Sequence, residues 1–348
     1  MCGIVAYIGT KDPLPIILEG LKRLEYRGYD SAGIFISNSK INEVTKTAGK
    51  VSKLKKVLQN KPDISPTIGM GHTRWATHGE PNNINAHPHE SNSGELTLIH
   101  NGIIENYDVL KQELIKRGYK FYSDTDSEVL VNLIEDIQKK EQIKLGKALR
   151  IALNQVVGAY GVVVFDSKKP NEIIAARLGS PLAIGLGNNE FFVGSDATPF
   201  LEFTRKVIYL EDYEMAILKK ESPIKIFNIT NDQVVDPYID QLKWNLENIQ
   251  KGGYKHFMLK EINEQPEAIN NALRGRLLAN EGKIQVGSLN EHQAKFSKAR
   301  RITIVACGTS WHAGLVGEYL LETIARIPVE VEYASEFRYR EPIIYSDD

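Results

Sequence analysis

The order of apolar and polar positions predicts strands in clusters, with helical stretches between the clusters. Short apolar runs that end at glycine or at polar residues are typical of buried strands. Such runs lie at 3–8, 32–36, 67–71, 96–100, 160–166, 172–176 and 182–187. Apolar residues with helical spacing lie at 14–24, 127–137 and 144–157. Clustered strands favour sheets packed on sheets with outer helices over a doubly wound domain.

The pattern changes near residue 240, which suggests a second domain. Segment 244–253 is polar and contains glycine, whereas 301–306 is a continuous apolar run of the kind buried on both faces of a sheet. A helix is predicted at 311–325 and another strand at 329–333. This is a single βαβ unit, which cannot bury its own faces, so we expect the second domain to be cut short.

Length, charge and cysteine content narrow the function classes. A chain of 348 residues is long enough for about two domains. Binding to nucleic acids or anionic membranes requires a clustered basic surface, and the net charge of −1 does not indicate one. No apolar run approaches the roughly 20 residues of a membrane span, and no export signal is evident. Two cysteines form no disulfide framework and fit a reducing compartment, so we expect a cytoplasmic protein.

Cys2 could act as a nucleophile because of its position. Removal of Met1 would leave a thiol and a free α-amine on one residue. An α-amine with a pKa of about 7.7–8.0 can accept the proton of a thiol with a pKa of about 8.5 near neutral pH. The alternative is an inert, buried cysteine at the start of a strand.

Histidines are concentrated in one short part of the chain. Five of the eight lie between residues 72 and 100, namely His72, His78, His87, His89 and His100. A zinc site is one interpretation, but no pair has the i, i+4 spacing of a helical metal site, and Pro81 and Pro88 interrupt any helix there. We therefore expect no metal and assign most of these histidines to the core or to loops.

Arg74 and the pair Asn101-Gly102 are groups suited to a small polar substrate. A guanidinium matches a carboxylate in two-point geometry, so Arg74 could hold the carboxylate of an amino acid. A side-chain amide beside a backbone N–H could form an oxyanion hole. Asn-Gly also favours a tight turn, and spacing alone favours that turn at the end of strand 96–100.

Two further polar segments precede predicted helices. Segment 124–128, DTDSE, could simply cap a helix, although its surplus of carboxylates leaves one free to bind an ammonium group. Segment 307–310, CGTS, lies between a strand and a helix, where a helix amino terminus and two hydroxyls can hold a phosphate. It lacks the Gly-Lys-Ser/Thr sequence of a P-loop.

Together these residues resemble a known family. The start MCGIV resembles the N-terminal-nucleophile, or class II, glutamine amidotransferases. Longer segments resemble the members that make amino sugars and carry sugar isomerase (SIS) domains: LEYRGYDSAG at 24–33, HTRWATHGEP at 72–81, HNGIIEN at 100–106, KEINEQP at 260–266, ACGTS at 306–310 and ASEFRYR at 334–340. The resemblance runs from Cys2 to Arg340. It implies a four-layer α/β/β/α glutaminase domain at 1–240, a connection at 241–295 and an incomplete parallel α/β SIS domain at 296–348.

The resemblance also implies roles in glutamine hydrolysis. Cys2 would attack the side-chain amide with its own α-amine as general base, while Asn101 and the Gly102 N–H would stabilise the oxyanion. Arg74 would bind the α-carboxylate of L-glutamine and Asp126 the α-ammonium group. The full set implied for glutamine binding is Arg74, Trp75, Thr77, His78 and Asp126. Trp75 would lie on a loop that closes over glutamine and helps to gate a path for ammonia.

For the second domain, the resemblance implies a sugar-phosphate site that includes Thr309 and Ser310. In a full-length enzyme, ammonia would convert fructose 6-phosphate to glucosamine 6-phosphate. Such enzymes continue through the rest of one SIS domain and a second one, so this chain is expected to keep only the glutaminase half. The resemblance implies no cofactor and no metal, and a homodimer for the full-length enzyme.

Two other interpretations compete with this one. Another class II amidotransferase, such as an amidophosphoribosyltransferase, would end in a phosphoribosyltransferase-like domain, whereas 306–310 and 334–340 favour a SIS domain. A non-catalytic module would instead sense a sugar phosphate and carry an inert Cys2. A blocked amino terminus distinguishes the enzyme from the non-catalytic module. If the Cys2 amine is the base, the block should abolish glutamine hydrolysis and leave sugar-phosphate binding unchanged.

Overall fold

The structure, a computed structural model, describes residues 2–38, 40–59, 65–242, 253–273, 277–278, 282–284 and 292–345. The chain divides into two compact units, Met1–Gly252 and Gly253–Asp348. Each unit is described by itself. The polar segment predicted at 244–253 lies outside the described residues except for Gly253. The domain boundary at residue 240 stays a prediction.

Eight strands of the first unit form an antiparallel sheet, sheet A. Their order across the sheet is β15 (Asp240–Gln241), β11 (Lys206–Tyr209), β9 (Ala183–Leu186), β10 (Phe191–Gly194), β1 (Gly3–Ile8), β4 (Ile68–Arg74), β2 (Ser31–Ser37) and β3 (Asn42–Ala48). The amino-terminal strand β1 is thus central, and every residue of it is buried. Residue 2 is therefore held at the end of a strand with neighbours on both sides.

Seven strands form a second antiparallel sheet, sheet B. Their order is β14 (Val234–Val235), β13 (Lys225–Asn228), β12 (Glu214–Lys219), β8 (Glu172–Leu178), β7 (Gly158–Asp166), β6 (Leu96–Ile104) and β5 (His89–Glu90). The apolar runs predicted as strands are confirmed as strands in both sheets.

The two sheets pack face to face, and helices cover their outer faces. Ile4 and Met70 of sheet A share one buried core with Ile99 and Val163 of sheet B. Helices α1 (Pro13–Leu24) and α2 (Val51–Leu58) pack on the outside of sheet A. Helices α3 (Tyr107–Lys116), α4 (Asp126–Glu141) and α5 (Leu145–Leu153) pack on the outside of sheet B. This is the expected four-layer α/β/β/α arrangement, with a 3₁₀ turn at Thr198–Phe200.

The predicted turn at Asn101-Gly102 is wrong. Strand β6 continues through both residues to Ile104, with Asn101 opposite Gly161 and Gly102 opposite Tyr160 on β7. Gly102 has a φ of +128°, and a Cβ there would collide with the carbonyl oxygen of Ala159. The glycine therefore allows two strands to approach each other closely, and it does not reverse the chain. Helix α5 is also shorter than predicted, because it ends at Leu153.

The second unit contains the predicted βαβ arrangement. Its described elements are α6 (Phe257–Leu273), β16 (Leu277–Leu278), β17 (Lys283–Ile284), α7 (Gln293–Phe296), β18 (Ile302–Ala306), α8 (Thr309–Leu320), a π-helical turn (Leu321–Ala325), β19 (Val329–Tyr333) and α9 (Ala334–Tyr339). Strands β18 and β19 pair in parallel. The expectation that β18 is buried on both faces is wrong for the described residues, since Val305 is 39% exposed. Among the described residues of this unit, the only strand that pairs with β18 is β19. No described helix is both long enough and apolar enough to cross a membrane.

Candidate active site

Cys2 immediately precedes β1, whose first residue, Gly3, lies opposite Thr73 near the end of β4. The backbone N–H of Trp75 donates a hydrogen bond to Cys2 Sγ at 3.2 Å, and Sγ lies 3.5 Å from the Trp75 carbonyl oxygen. Burial raises the pKa of the Cys2 thiol, while the hydrogen bond from the Trp75 N–H and the charge of Arg74 act in the opposite direction. Because the raised pKa keeps the thiol protonated at neutral pH, a nucleophilic Cys2 needs a general base.

The loop after β4 is held by residues of segment 26–30. Gly28 lies so close that a Cβ there would be 2.7 Å from the Arg74 carbonyl carbon and 2.9 Å from the Trp75 nitrogen. Asp30 N–H donates to the Arg74 carbonyl at 3.2 Å, and the Asp30 carboxylate accepts from the Ala76 N–H. This backbone contact explains why the glycine at position 28 is needed beside the candidate site.

Arg74 is the last residue of β4 and is only 4% exposed. Its Nη2 donates to the carbonyl oxygens of His78 and Gly79. Its Nη1 is buried without a hydrogen-bond partner among the described residues. A buried guanidinium N–H group without a partner is costly, and a bound carboxylate is the group that best satisfies it.

One small pocket brings most of the predicted site residues together. It is lined by Cys2, Arg74, Trp75, Thr77, His87, His100, Gly102, Thr125, Asp126 and Ser127. Trp75 is 50% exposed, and its ring lies nearly perpendicular to that of Tyr29, with the ring centroids 5.8 Å apart. His78 does not line this pocket: its carbonyl holds Arg74, and its ring lies 5.0 Å from that of Tyr107.

Asn101 is held on both sides of its amide group. Its Nδ2 donates to the Cys2 carbonyl oxygen at 3.1 Å and to Ser195 Oγ at 2.9 Å. Its Oδ1 lies 2.9 Å from His72 Nε2. Ser195 Oγ also accepts the Ile4 N–H at 2.8 Å, which ties the amide to β1. The donor end of the amide therefore faces Cys2.

Asp126 begins helix α4 at the edge of the pocket. The helix is capped by Thr125, whose side chain accepts from the Glu128 N–H, so Asp126 is not needed as the cap. Its Oδ2 accepts the Ile104 N–H at 2.8 Å and lies 4.0 Å from His100 Nδ1. This leaves a buried carboxylate next to Cys2 and Arg74 that can accept from a substrate ammonium group.

Thr309 and Ser310 belong to the second unit. They begin α8 directly after Gly308, which has a φ of +60°, and both are exposed. Their position between strand and helix is as predicted. A role in phosphate binding stays a prediction.

Several residues that sequence reasoning missed support the site. Ser195 is 94 positions from Asn101 along the chain, and nothing in the local sequence pairs them. His72 begins the segment HTRWATHGEP, but its sequence position does not predict its contact with Asn101. Asp30 is one residue of the segment 24–33 that shows the family resemblance, and nothing else in the sequence indicates its contact with the loop after β4. Among the described residues, no group of three His, Cys, Asp or Glu side chains could hold a metal ion.

Four histidines form a buried cluster beside the pocket. The rings of His72 and His87 stack at 4.1 Å, and those of His87 and His89 meet edge to face at 4.7 Å. Burial lowers the pKa of His72 to about 3 and lowers the pKa values of His87, His89 and His100 as well. All four are therefore neutral at neutral pH.

This cluster predicts loss of stability in acid. Below about pH 6.5 an unfolded histidine binds a proton that the folded cluster excludes, so the free energy of unfolding should fall as pH falls. The slope is about 1.4 kcal/mol per pH unit for each histidine that stays neutral, and it vanishes above about pH 6.5. Urea midpoints measured at several pH values would test this. In His89→Phe the slope should be smaller, and an unchanged slope would contradict the explanation.

Comparison with known proteins gives the family. The family described as glutamine amidotransferase domain matches residues 59–225, and the SIS domain family matches residues 295–348. A glutamine–fructose-6-phosphate aminotransferase (isomerizing) of Bacteroides thetaiotaomicron is 52% identical over 100% of this chain and 56% of its own length. One from Thermus thermophilus is 45% identical over 99% of this chain and 56% of its length.

The chain combines a glutamine amidotransferase domain with a SIS domain, and over its whole length it is similar to glutamine–fructose-6-phosphate aminotransferases. It spans little more than half the length of these relatives. The match at residues 295–348 confirms the expected SIS domain and disfavours a phosphoribosyltransferase-like ending.

Two solved structures resemble the fold of this chain. The structure described as the allosteric regulatory enzyme of purine biosynthesis is 27% identical, with a TM-score of 0.56, and covers 66% of this chain and 49% of its own. Glutamine phosphoribosylpyrophosphate amidotransferase from B. subtilis has a TM-score of 0.59 over 99% of this chain and 69% of its own. At 22% identity, the second likeness concerns the fold alone.

Proposed function

We propose that this chain hydrolyses L-glutamine to glutamate and ammonia with Cys2 as nucleophile. In the complete protein, the ammonia would convert fructose 6-phosphate to glucosamine 6-phosphate. The names of the curated relatives support both substrates, and the chain spans 56% of the length of the B. thetaiotaomicron relative.

The observation that carries the proposal is the convergence of three complementary groups in one pocket. These are the Cys2 thiol, the unpartnered Nη1 of Arg74 and the Asp126 carboxylate. An amino acid presents a carboxylate and an ammonium group, which pair with Arg74 and Asp126 respectively. With its carboxylate and ammonium groups held in this way, glutamine would place its side-chain amide beside the Cys2 sulfur.

The reaction follows from these positions. With Met1 removed, the α-amine of Cys2 takes the thiol proton, and Sγ forms a bond to the amide carbon of glutamine. The C–N bond then breaks, and the leaving nitrogen takes the proton and departs as ammonia. Water next attacks the thioester, the C–S bond breaks, and glutamate and the free thiol are produced.

Asn101 and Gly102 would stabilise the oxyanion that forms in both steps. Asn101 Nδ2 already donates to the Cys2 carbonyl and to Ser195 Oγ, so the oxyanion must replace one of these acceptors. The bond to the Cys2 carbonyl is the longer of the two. A preorganised donor of this kind is worth about 10²–10³ in kcat.

The loop from Trp75 to His78 would open and close over the substrate. In the present arrangement the Trp75 N–H bonds the sulfur, so this contact must be released when glutamine enters. Trp75 would then help to gate ammonia, and Thr77 and His78 would line the closed loop. Half the surface of the Trp75 side chain is exposed, which is consistent with movement of this residue.

The remaining parts of the proposal concern the whole protein. Thr309 and Ser310 would contribute to the sugar-phosphate site, and the complete protein would be a homodimer. The domains would be 1–240, 241–295 and 296–348. The SIS match from residue 295 supports the last of these boundaries, whereas the two compact units divide between Gly252 and Gly253. A reducing, cytoplasmic setting is proposed because Cys2 and Cys307 are both free thiols.

Selective alkylation would test the assignment of the nucleophile. The chain has only two cysteines, and Cys307 is exposed, so Cys307→Ser leaves Cys2 as the single thiol. We expect this variant to release glutamate and ammonia in equal amounts, and iodoacetamide to abolish the release. Excess glutamine should slow the alkylation. Glutamate release that survives complete alkylation of Cys2 would overturn the proposal.

Arg74 provides a prediction for substrate binding. Arg74→Lys keeps the charge but loses the planar two-point geometry, so KM for glutamine should rise about 10- to 100-fold with a smaller change in kcat. Steady-state kinetics would measure both constants. Arg150→Lys is the matched control. Arg150 lies on α5, pairs with Asp232 and does not line the pocket, so this substitution should leave both constants unchanged. A fall in kcat alone would argue against carboxylate binding by Arg74.

A further inference from the structure

His72 contacts the amide of Asn101 on the side away from Cys2. It lies on β4 and is fully buried. Its Nε2 is 2.9 Å from Asn101 Oδ1 and 3.0 Å from the backbone carbonyl oxygen of His100. The ring is held on its face by His87, stacked at 4.1 Å.

The chemistry of the neighbours fixes which atoms are donors. A backbone carbonyl can only accept, so Nε2 must carry the proton that faces His100. That N–H can face only an acceptor on Asn101, which requires Oδ1. On the opposite side of the amide, the Cys2 carbonyl oxygen is also only an acceptor, and it requires Nδ2. Both sides therefore select the same orientation of Asn101.

The ionisation state of His72 supports a single arrangement. Burial lowers its pKa to about 3, and the charge of Arg74 acts in the same direction. The charged or titratable groups that act on it are Arg74, His87, His89 and His100, while the uncharged Asn101 contacts it directly. The ring therefore stays neutral at neutral pH, with one proton, and Nδ1 has no partner among the described residues.

We propose that His72 is a positioning residue that orients the Asn101 amide so that its N–H donor, rather than its carbonyl oxygen, faces the oxyanion. The inference rests on the proposed glutamine hydrolysis. An amide turned by half a rotation would present a negative dipole end to a developing negative charge, which is the reverse of an oxyanion hole. His72 thus acts on the reaction only through Asn101.

A double-mutant cycle would test whether His72 acts through Asn101. In His72→Leu, kcat should fall about 10- to 100-fold, within the loss of about 10²–10³ expected when the donor itself is removed. KM for glutamine should stay within about twofold. In the Asn101→Ala background, His72→Leu should have almost no further effect, because the residue through which it acts is gone. His72→Gln, which supplies an amide N–H, should restore part of kcat.

The controls separate this role from a general effect on folding. His89→Leu changes the same buried cluster without contacting Asn101, so its effect on kcat should be equal in both backgrounds. If His72→Leu lowers kcat by the same factor with and without Asn101, or leaves kcat unchanged, the inference is overturned. Absence of Cys2-dependent glutamate release from the unsubstituted chain would instead refute the proposed function.

Discussion

Replacing Cys2 by alanine is expected to lower glutamine hydrolysis at least about a thousandfold. Removal of a nucleophile takes away the covalent step and leaves only the weak catalysis of the oxyanion donors and of substrate binding. The thiol is held 3.2 Å from the Trp75 nitrogen, at the end of a central buried strand, so alanine should change the fold little. Glutamate release from the purified chain measures the effect.

Binding and folding should survive this substitution. Arg74 and Asp126 are unchanged in Cys2→Ala, so glutamine should still raise the melting temperature by linkage. Cys307→Ala is the control for loss of a thiol elsewhere, and it should keep full activity because Cys307 lies in the other unit. Residual hydrolysis by Cys2→Ala near that of the unsubstituted chain would rule out Cys2 as nucleophile.

A second measurement distinguishes the role of the Cys2 α-amine from that of the Cys2 thiol. A chain that keeps a residue before Cys2, through an uncleaved Met1 or a tag, retains the thiol but has an amide in place of the base. Because burial raises the pKa of the Cys2 thiol, few molecules would carry a thiolate without that base. Hydrolysis should fall nearly as far as in Cys2→Ala. Normal hydrolysis by such a chain would mean that another group takes the proton.

Much of the fold could be predicted because its elements have local signals. The run at 3–8 and the helical spacing at 14–24 correspond to β1 and α1 within one residue. The pairing of strands could not be predicted in this way. Strand β1 lies between β4 and β10, and its contact with β10 joins residues near 5 to residues near 194. Such register depends on packing between distant segments rather than on local propensity.

In the candidate site, too, residue chemistry could be predicted from the sequence, whereas contacts between distant residues could not. Cys2, Arg74 and Asp126 carry reactive or charged groups, so their chemistry could be inferred from residue type together with family resemblance. Ser195 and His72 contact Asn101, and no property of a single serine or buried histidine reveals such a contact. Asn101-Gly102 shows the limit most clearly, because the dipeptide typical of a turn lies within a nine-residue strand.

Gly102→Ala is expected to damage both folding and catalysis. A φ of +128° is strained for alanine, and its Cβ would collide with the Ala159 carbonyl oxygen. We expect a loss of about 3 kcal/mol or more in the free energy of unfolding. Because the neighbouring Asn101 shares this stretch of β6, movement of the strand should also lower kcat. Urea unfolding and glutamate release would measure the two effects.

The matched control for Gly102 is Gly118→Ala. Gly118 also has a positive φ, of +92°, but a Cβ there would meet nothing within 4 Å. It therefore carries the cost of backbone strain without the collision, about 1 kcal/mol or slightly more, and kcat should not change. Equal losses of stability in the two variants would mean that β6 and β7 can separate at no cost. The close approach of Ala159 would then not explain why glycine follows Asn101.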